Sequence, residues 1–275
     1  MNIEENTLIS SLQNEKIKHV NKILRQSKFR KHHSQFAVEG IKLIKEILKS
    51  GIKINSIFVT SEAYEKYTDD LIQIKNNSPF TIYKVTEKIM SKISSLTSPP
   101  GLICLCEMID KIQMMDKIVK NDKIVILENI QDPHNLGTLF RICDAMNVKA
   151  VAVTEGSCDI YNPKVLRGSM GSIFRLDIFW VNDIITFISD LKKHDFEICA
   201  STVDKNDSPI SKIKYNKKTA VIIGNEGNGI NPETIKLCDK KITIPTNQEI
   251  DSLNAAVAAG IIIWEITGRG EQLNE

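Results

Sequence analysis

A chain of 275 residues, 42% apolar and 25% charged, can bury one large core or two ordinary ones and is too apolar to remain disordered. Its net charge of +2 names no partner, and no apolar run approaches the ~20 residues of a membrane span. The opening stretch MNIEENTLISSLQNEK lacks the basic-then-apolar order of a secretory signal, so a cytoplasmic protein without a membrane partner is expected.

The first pattern along the chain is electrostatic. Lys16, Lys18, Lys22, Arg25, Lys28, Arg30 and Lys31 follow one another with no acid after Glu15; His19 lies among them and His32 and His33 follow. A one-sign run of this kind can lie along phosphates, and it can also be a solvated helix face; both readings stay open at this point. Within it Ile17, Val20, Ile23 and Leu24 recur at helix spacing. Residues 36–38 read as a short strand ending at Glu39-Gly40, and Ile41, Leu43, Ile44, Ile47 and Leu48 build an amphipathic helix closed by Gly51. A strand at 54–60, a helix at 62–75, a strand at 80–85 and a helix at 87–96 lead to the breaker Ser98-Pro99-Pro100-Gly101. A strand at 102–108 completes a small α/β unit, predicted over residues 1–108.

Residues 109–121 are polar and without strong period, which predicts a linker. A second α/β series, predicted over 122–275, opens at 123–127 with a nearly continuous apolar run, typical of a strand covered on both faces. Further strands are expected at 150–154, 174–180, 197–202, 220–223 and 241–244, with helices between and an apolar helix from about 252 to 267. Alternating strand and helix implies a mainly parallel sheet. The six cysteines, Cys104, Cys106, Cys143, Cys158, Cys199 and Cys238, show no C-x-x-C pair and several sit in apolar runs. They predict buried free thiols, with no metal site expected.

Three stretches of the second half can carry chemistry. The first, Asp132-Pro133-His134-Asn135-Leu136-Gly137-Thr138-Leu139-Phe140-Arg141, follows directly on a buried strand. Asp132 is a plausible N-cap and Pro133 suits the first turn. Leu136, Leu139, Phe140 and Cys143 share one stripe that leaves Arg141 outside, facing either a cleft or plain solvent. In the second, Ile222-Ile223-Gly224-Asn225-Glu226-Gly227-Asn228-Gly229, three glycines let the backbone turn sharply against a ligand. The order G-x-x-G-x-G is not the dinucleotide order, and the internal acid would repel a pyrophosphate. In the third, Ile244-Pro245 ends a strand and a polar loop leads through Ser252-Leu253-Asn254 into a helix opened by Asp251 or Ser252. Ala255, Ala256, Ala258, Ala259 and Gly260 there admit either a flat ligand or a close-packed neighbour.

In order and spacing these motifs resemble the SpoU/TrmH family of SPOUT RNA methyltransferases: D-P-x-N-x-G-x-x-x-R, then I-G-x-E-G-x-G, then I-P with S-L-N-x-x-x-A, over residues 122–268. The first half resembles the family's ribosomal-protein-like substrate-binding domain through its K-h-x-x-h-x-x-L stretch and the F-x-x-E-G at 36–40. The resemblance implies a deep trefoil knot in the C-terminal sheet, a homodimer, and S-adenosylmethionine as methyl donor to a ribose 2′-hydroxyl of RNA, with 23S ribosomal RNA the expected substrate. By motif matching it implies a cofactor site of Thr202, Gly224, Ile244, Leu253 and Asn254. It also implies a catalytic set of Asn135, Arg141, Glu226, Ser252 and Asn254. Lys16, Lys18, Arg25, Lys28, Arg30 and Lys31 become expected RNA contacts, joined by Arg167 and Ser169 from a stretch that borders the family's site. Transfer RNA as substrate, and a ribosome-assembly factor without catalysis, are the alternatives. The chain departs from the family in Pro-Thr-Asn-Gln-Glu-Ile-Asp at 245–251, where many relatives carry methionine after the proline.

Overall fold

The computed structural model describes residues 8–77, 79–109, 115–247 and 252–268. Packing divides the chain into two units, Met1–Asp110 with Tyr161–Arg167, and Lys111–Ile160 with Gly168–Glu275.

The first unit runs α1 (Glu15–Arg25), α2 (Ser27–His33), β1 (Gln35–Glu39), α3 (Ile41–Lys49), β2 (Ile54–Val59), α4 (Ser61–Lys66), α5 (Thr68–Asn77), β3 (Thr81–Lys84), α6 (Glu87–Ile93) and β4 (Leu102–Glu107). Its strands form a mixed sheet in the order β1-β4-β2-β3, with β4 antiparallel to both neighbours and β2 parallel to β3. Asn14 caps α1 by accepting from the Lys16 N–H at 2.9 Å, and the stripe Ile17, Val20, Ile23 and Leu24 is buried against the sheet. Helix α2 corrects one expectation. Arg30 is 3% exposed, and its guanidinium donates to the Ile23 and Leu24 carbonyls at 2.7 and 3.3 Å. Those are carbonyls of the last turn of α1, which lacks helical partners for them, and a cation there is favoured. Arg30 is thus a structural brace inside the fold, not a surface contact for RNA.

Two further differences arise from local chemistry. The helix expected over 62–75 is two helices, broken at Tyr67, and each opens on its own acidic turn. The segment 161–167 packs with this unit: the Tyr161 ring lies 4.8 Å from that of Phe36, and its hydroxyl accepts from the Ile109 N–H at 3.2 Å. Arg167 donates to Ser95 Oγ at 2.6 Å and lies 3.7 Å from the buried Glu39 carboxylate. Glu39 also accepts from the hydroxyls of Ser94 and Ser95. The Arg167 guanidinium is therefore already engaged within its unit.

The second unit runs α7 (Met115–Ile118), β5 (Lys123–Leu127), α8 (Pro133–Ala145), β6 (Ala150–Thr154), β7 (Asp177–Val181), α10 (Ile184–Lys193), β8 (Glu197–Thr202), β9 (Ser208–Pro209), β10 (Thr219–Ile223), α11 (Pro232–Lys236), β11 (Lys240–Thr243) and α12 (Ala255–Ile266); α9 (Pro163–Gly168), between β6 and β7 in the chain, belongs to the first unit except for Gly168. The second unit's seven strands are all parallel, in the order β7-β6-β5-β10-β8-β11-β9. Strands β6 and β10 are buried at every residue, as their unbroken apolar runs require when helices cover both faces. Part of the expected linker belongs here, because Ile118 of α7 is fully buried in this core; residues 110–114 lie outside the described residues. The strand expected from 174 starts at 177, since residues 172–174 form a tight 3-10 turn that buries Ile173 and Phe174 without pairing them. Among the described residues no helix is long and apolar enough to cross a membrane.

Candidate active site

Three strand ends converge on one cavity of about 350 Å³ in the second unit. Thr202 ends β8, Ile223 and Gly224 leave β10, and Thr243 and Ile244 leave β11; Ser252, Leu253, Ala255, Ala258 and Ile262 close the far wall from the start of α12. The site thus lies outside the carboxyl ends of parallel strands, where open α/β sheets place ligands. Glu226 also lines it, the charged side chain of that wall. Four of the expected cofactor residues, Thr202, Gly224, Ile244 and Leu253, share this cavity with Glu226 and Ser252 of the expected catalytic set.

The glycine loop owes its shape to Asn225. Its side-chain oxygen accepts from the Gly227 and Asn228 N–H groups, both at 2.9 Å, while its amide donates to the Asn129 carbonyl at 2.8 Å. Asn225 and Gly229 exchange two backbone hydrogen bonds of 3.0 Å, closing the loop. An asparagine that folds its own backbone is a turn signal the sequence carried; the motif match drew attention to Glu226 beside it.

A directed line of hydrogen bonds joins the three motifs. Asn254 is the N-cap of α12, its oxygen accepting from the Ala256 and Val257 N–H groups at 3.0 and 3.3 Å. This corrects the expectation that Asp251 or Ser252 opens the helix; Asp251 lies outside the described residues. With its oxygen committed, Asn254 turns its amide nitrogen outward and donates to Asn135 Oδ1 at 3.0 Å. Asn135, 5% exposed, must then donate in turn, and does so to Glu226 Oε1 at 3.0 Å. The Gln131 and Asp132 N–H groups at the start of α8 also reach the Glu226 carboxylate, each at 3.3 Å. Burial works to raise the Glu226 carboxyl, but the Asn135 amide and these backbone donors outweigh it and hold the group below the ordinary glutamate value. Glu226 is an ionised acceptor at neutral pH.

Arg141 stands apart. It is exposed on α8, does not line the cavity, and makes no hydrogen bond or ion pair among the described residues. The Glu226 carboxylate therefore fixes Asn135 and the entry to α8, not Arg141. Ser169 is fully buried, which removes it from any direct contact with a macromolecule. The thiols take no part: Cys104, Cys106, Cys143 and Cys199 are buried and Cys158 and Cys238 half-buried, all free. Burial pushes Cys143 up to about 12.

Sequence reading missed a second carboxylate, Glu128, at the end of β5. It is 2% exposed, accepting from Thr234 Oγ1 at 2.8 Å and from the Asn231 N–H at 3.3 Å. Glu128 thus ties the outgoing end of the glycine loop to the central sheet. Burial raises its carboxyl, against the two hydrogen bonds that favour its ionised form. The native state keeps this proton where the unfolded chain has released it. Its stabilising contribution is whole below the unfolded value and is lost as pH rises through the raised native one. Glu128→Gln can accept from Asn231 and donate to Thr234, so its melting temperature is expected to equal the wild type's in acid and to exceed it toward neutral pH. Thermal scans across that range check this, and parallel curves for the two proteins would refute it.

Comparison with known proteins fits this geometry. Residues 122–264 match the SpoU rRNA Methylase family and residues 14–104 match an MRM3-like substrate binding domain. The chain is 29% identical over 260 residues, covering 94% of itself and 99% of its relative, to the 23S rRNA (guanosine(2553)-2'-O)-methyltransferase RlmP of Bacillus subtilis (strain 168). Among solved structures, one described as an RNA 2'-O ribose methyltransferase superposes with a TM-score of 0.80 at 25% identity, covering 96% of this chain and 99% of that one. An AdoMet-bound rRNA methyltransferase from Sinorhizobium meliloti has the same fold, with a TM-score of 0.81 at 23% identity over 96% of this chain and 98% of its own.

Proposed function

The chain belongs to the SpoU rRNA methylase family, and from that premise we propose that it methylates a ribose 2′-hydroxyl of 23S ribosomal RNA in the cytoplasm. As a family member it is an S-adenosylmethionine-dependent RNA 2′-O-ribose methyltransferase. The 23S substrate is supported by the full-length relative that modifies a 23S guanosine and by the matched substrate-binding domain. The observation that carries the reading is the line Asn254–Asn135–Glu226, which ties all three motifs to the rim of one cavity.

The residues fit the methyl donor. Ile223, Ile244, Leu253 and Ile262 give apolar walls, Ala255 and Ala258 leave room, and main-chain groups of the glycine loop face the same space. Such a slot suits a flat adenine held by backbone polar groups. When bound, S-adenosylmethionine supplies an electrophilic methyl group on a positively charged sulfur. Glu226, kept ionised, complements that charge. Ser252, which lines the cavity, and Asn254, two residues on, orient the incoming ribose; Asn135 holds Asn254 and Glu226 in one geometry. Arg141 binds the phosphate next to the target ribose and stabilises the alkoxide as it forms, since a guanidinium is not deprotonated in proteins and cannot serve as base.

The same reading carries a deep trefoil knot and a homodimer. Val257, Ile261 and Trp264 of α12 are 53%, 39% and 41% exposed at spacings that place them on one face, and α12 packs along α8. A second copy covering this apolar face would bring Arg141 of each chain to a site shared by both. On the N-terminal unit, the exposed cations Lys16, Lys28 and Lys31, with Lys18 and Arg25 beside them, track the RNA backbone. Lys18 is partly offset by Glu15 at 2.9 Å, and Arg25 also donates to the Lys92 carbonyl at 3.1 Å. Methyl transfer from labelled donor to transcripts of 23S RNA and to transfer RNA, followed by mapping of ribose methylation, tests the proposal. Incorporation into a single 23S ribose is the expected result; label confined to transfer RNA, or to a base, overturns it.

A further inference from the structure

The basic helices of the first unit also carry a cluster of packed rings. Phe29 and His33, one turn apart on α2, have ring centroids 4.2 Å apart. His19 of α1 meets both edge-on, at 5.3 Å from Phe29 and 4.9 Å from His33, and His32 lies 4.9 Å from His33. Lys22 Nζ sits 5.3 Å from the Phe29 ring centre. His32 and His33 are exposed while His19 and Phe29 are half-buried, so the rings of His19 and Phe29 support the two exposed imidazoles.

The support is built across the sheet. Lys53 pairs with Glu107 at 2.7 Å, and Asn55 donates to Glu107 at 3.1 Å. Gln35 donates to the Asn55 oxygen at 3.4 Å, so its own oxygen is left to accept from His19 Nε2 at 2.8 Å. This line from β4 through β2 and β1 fixes the plane of the His19 ring, which in turn braces Phe29 and His33. Partial desolvation by the rings packed against it first, then the charges of His19, His32 and Lys22, lower His33 below the ordinary histidine value, which favours its neutral ring at neutral pH.

We propose that His33, with His32 beside it and Phe29 and His19 behind it, is a stacking platform for an unpaired base of the RNA substrate. The chemistry favours this occupant: aromatic faces accept any base, and Lys22 over Phe29, with Lys28 and Lys31 on the same helix as Phe29 and His33, supply cations for the flanking phosphates. The inference rests on the reading of the first unit as the RNA-binding module, which it sharpens from charge alone to charge plus stacking. Phe29 and His19 act through His33 and are positioning residues.

Binding of a short, labelled single-stranded RNA to the full chain separates the two contributions. His33→Ala is expected to weaken binding about 5- to 100-fold with the salt slope unchanged, while His33→Tyr, which keeps a ring, holds near wild-type affinity. An RNA abasic at its unpaired positions should bind the wild type as weakly as the ordinary RNA binds His33→Ala. Lys28→Gln with Lys31→Gln is expected to lower the slope of log affinity against log salt by roughly 0.7 for each phosphate no longer neutralised. Undiminished affinity of His33→Ala, or equal loss in His33→Tyr, overturns the platform. An unchanged slope in the lysine double variant, with His33→Ala still weak, overturns the charge reading and leaves the platform standing.

Discussion

Replacing Arg141 by alanine is expected to lower kcat for ribose methylation by about 100- to 1,000-fold, while the affinity for S-adenosylmethionine stays at the wild-type value. The side chain is exposed on α8, outside the strand-end cavity, and no carboxylate among the described residues neutralises it. A cation left without an internal partner contributes little to folding, and its removal should leave the melting temperature within the range of ordinary surface substitutions. On the proposed reading, what the variant loses is the positive charge that stabilises the developing alkoxide. Arg141→Lys keeps the charge but not the planar fork, so partial recovery of kcat is expected and full recovery is not. Single-turnover rates with saturating RNA, set beside calorimetric cofactor binding, check both halves. A variant that methylates at the wild-type rate removes Arg141 from the chemistry.

Gly224→Ala is expected to weaken cofactor binding by one to two orders of magnitude. A Cβ built on Gly224 would lie 2.4 Å from the Gly229 carbonyl carbon, 2.5 Å from the Ile230 nitrogen and 2.7 Å from the Gly229 oxygen. All three are backbone atoms, so no side chain can swing aside. The loop has to open, and the paired hydrogen bonds between Asn225 and Gly229 that set its shape go with it. Overpacking of this kind costs about 1–3 kcal/mol, and that cost falls on the segment that lines the cavity. Gly227→Ala is the control: its Cβ would meet the Asn225 side-chain oxygen at 3.6 Å and nothing closer, so near-normal binding is expected. Calorimetric titration of the two variants decides the matter; equal affinities would show that loop closure is irrelevant to the donor.

How far the sequence speaks is clearest at particular residues. The run at 123–127 reads as a covered strand because a short, nearly unbroken apolar stretch suits a sheet with helices on both faces, and all of it but Lys123 is buried. The strands at 197–202, 220–223 and 241–244 were legible as apolar runs, but their ends were placed at one site only by motif resemblance. Arg30 was not, because periodicity separates apolar from polar positions and says nothing about which cation is turned inward to satisfy a helix end. Tyr67 breaks a pattern that reads as one helix, and the two-residue strand β9 is too short to carry a period. In the site, motif matching named Asn135, Glu226 and Asn254. The direction of the hydrogen bonds among them follows only once Asn254 is seen to cap α12, which commits every amide down the line.

The strand order of the second unit bears on how the chain is made. Its central pairing sets Lys123–Leu127 beside Thr219–Ile223 in register, so nearly a hundred residues must leave the ribosome between one strand and its mate. The first unit's sheet has all four strands by Glu107 and can assemble while the second is still being synthesised. Until β10 emerges, one side of β5 offers a bare row of backbone donors and acceptors, the arrangement that invites wrong partners between nascent chains. Distant parallel pairings form slowly. Premature termination just before Thr219 would therefore yield a well-folded front half attached to an aggregation-prone remnant, a hazard that grows from topology and is independent of anything at the strand-end cavity.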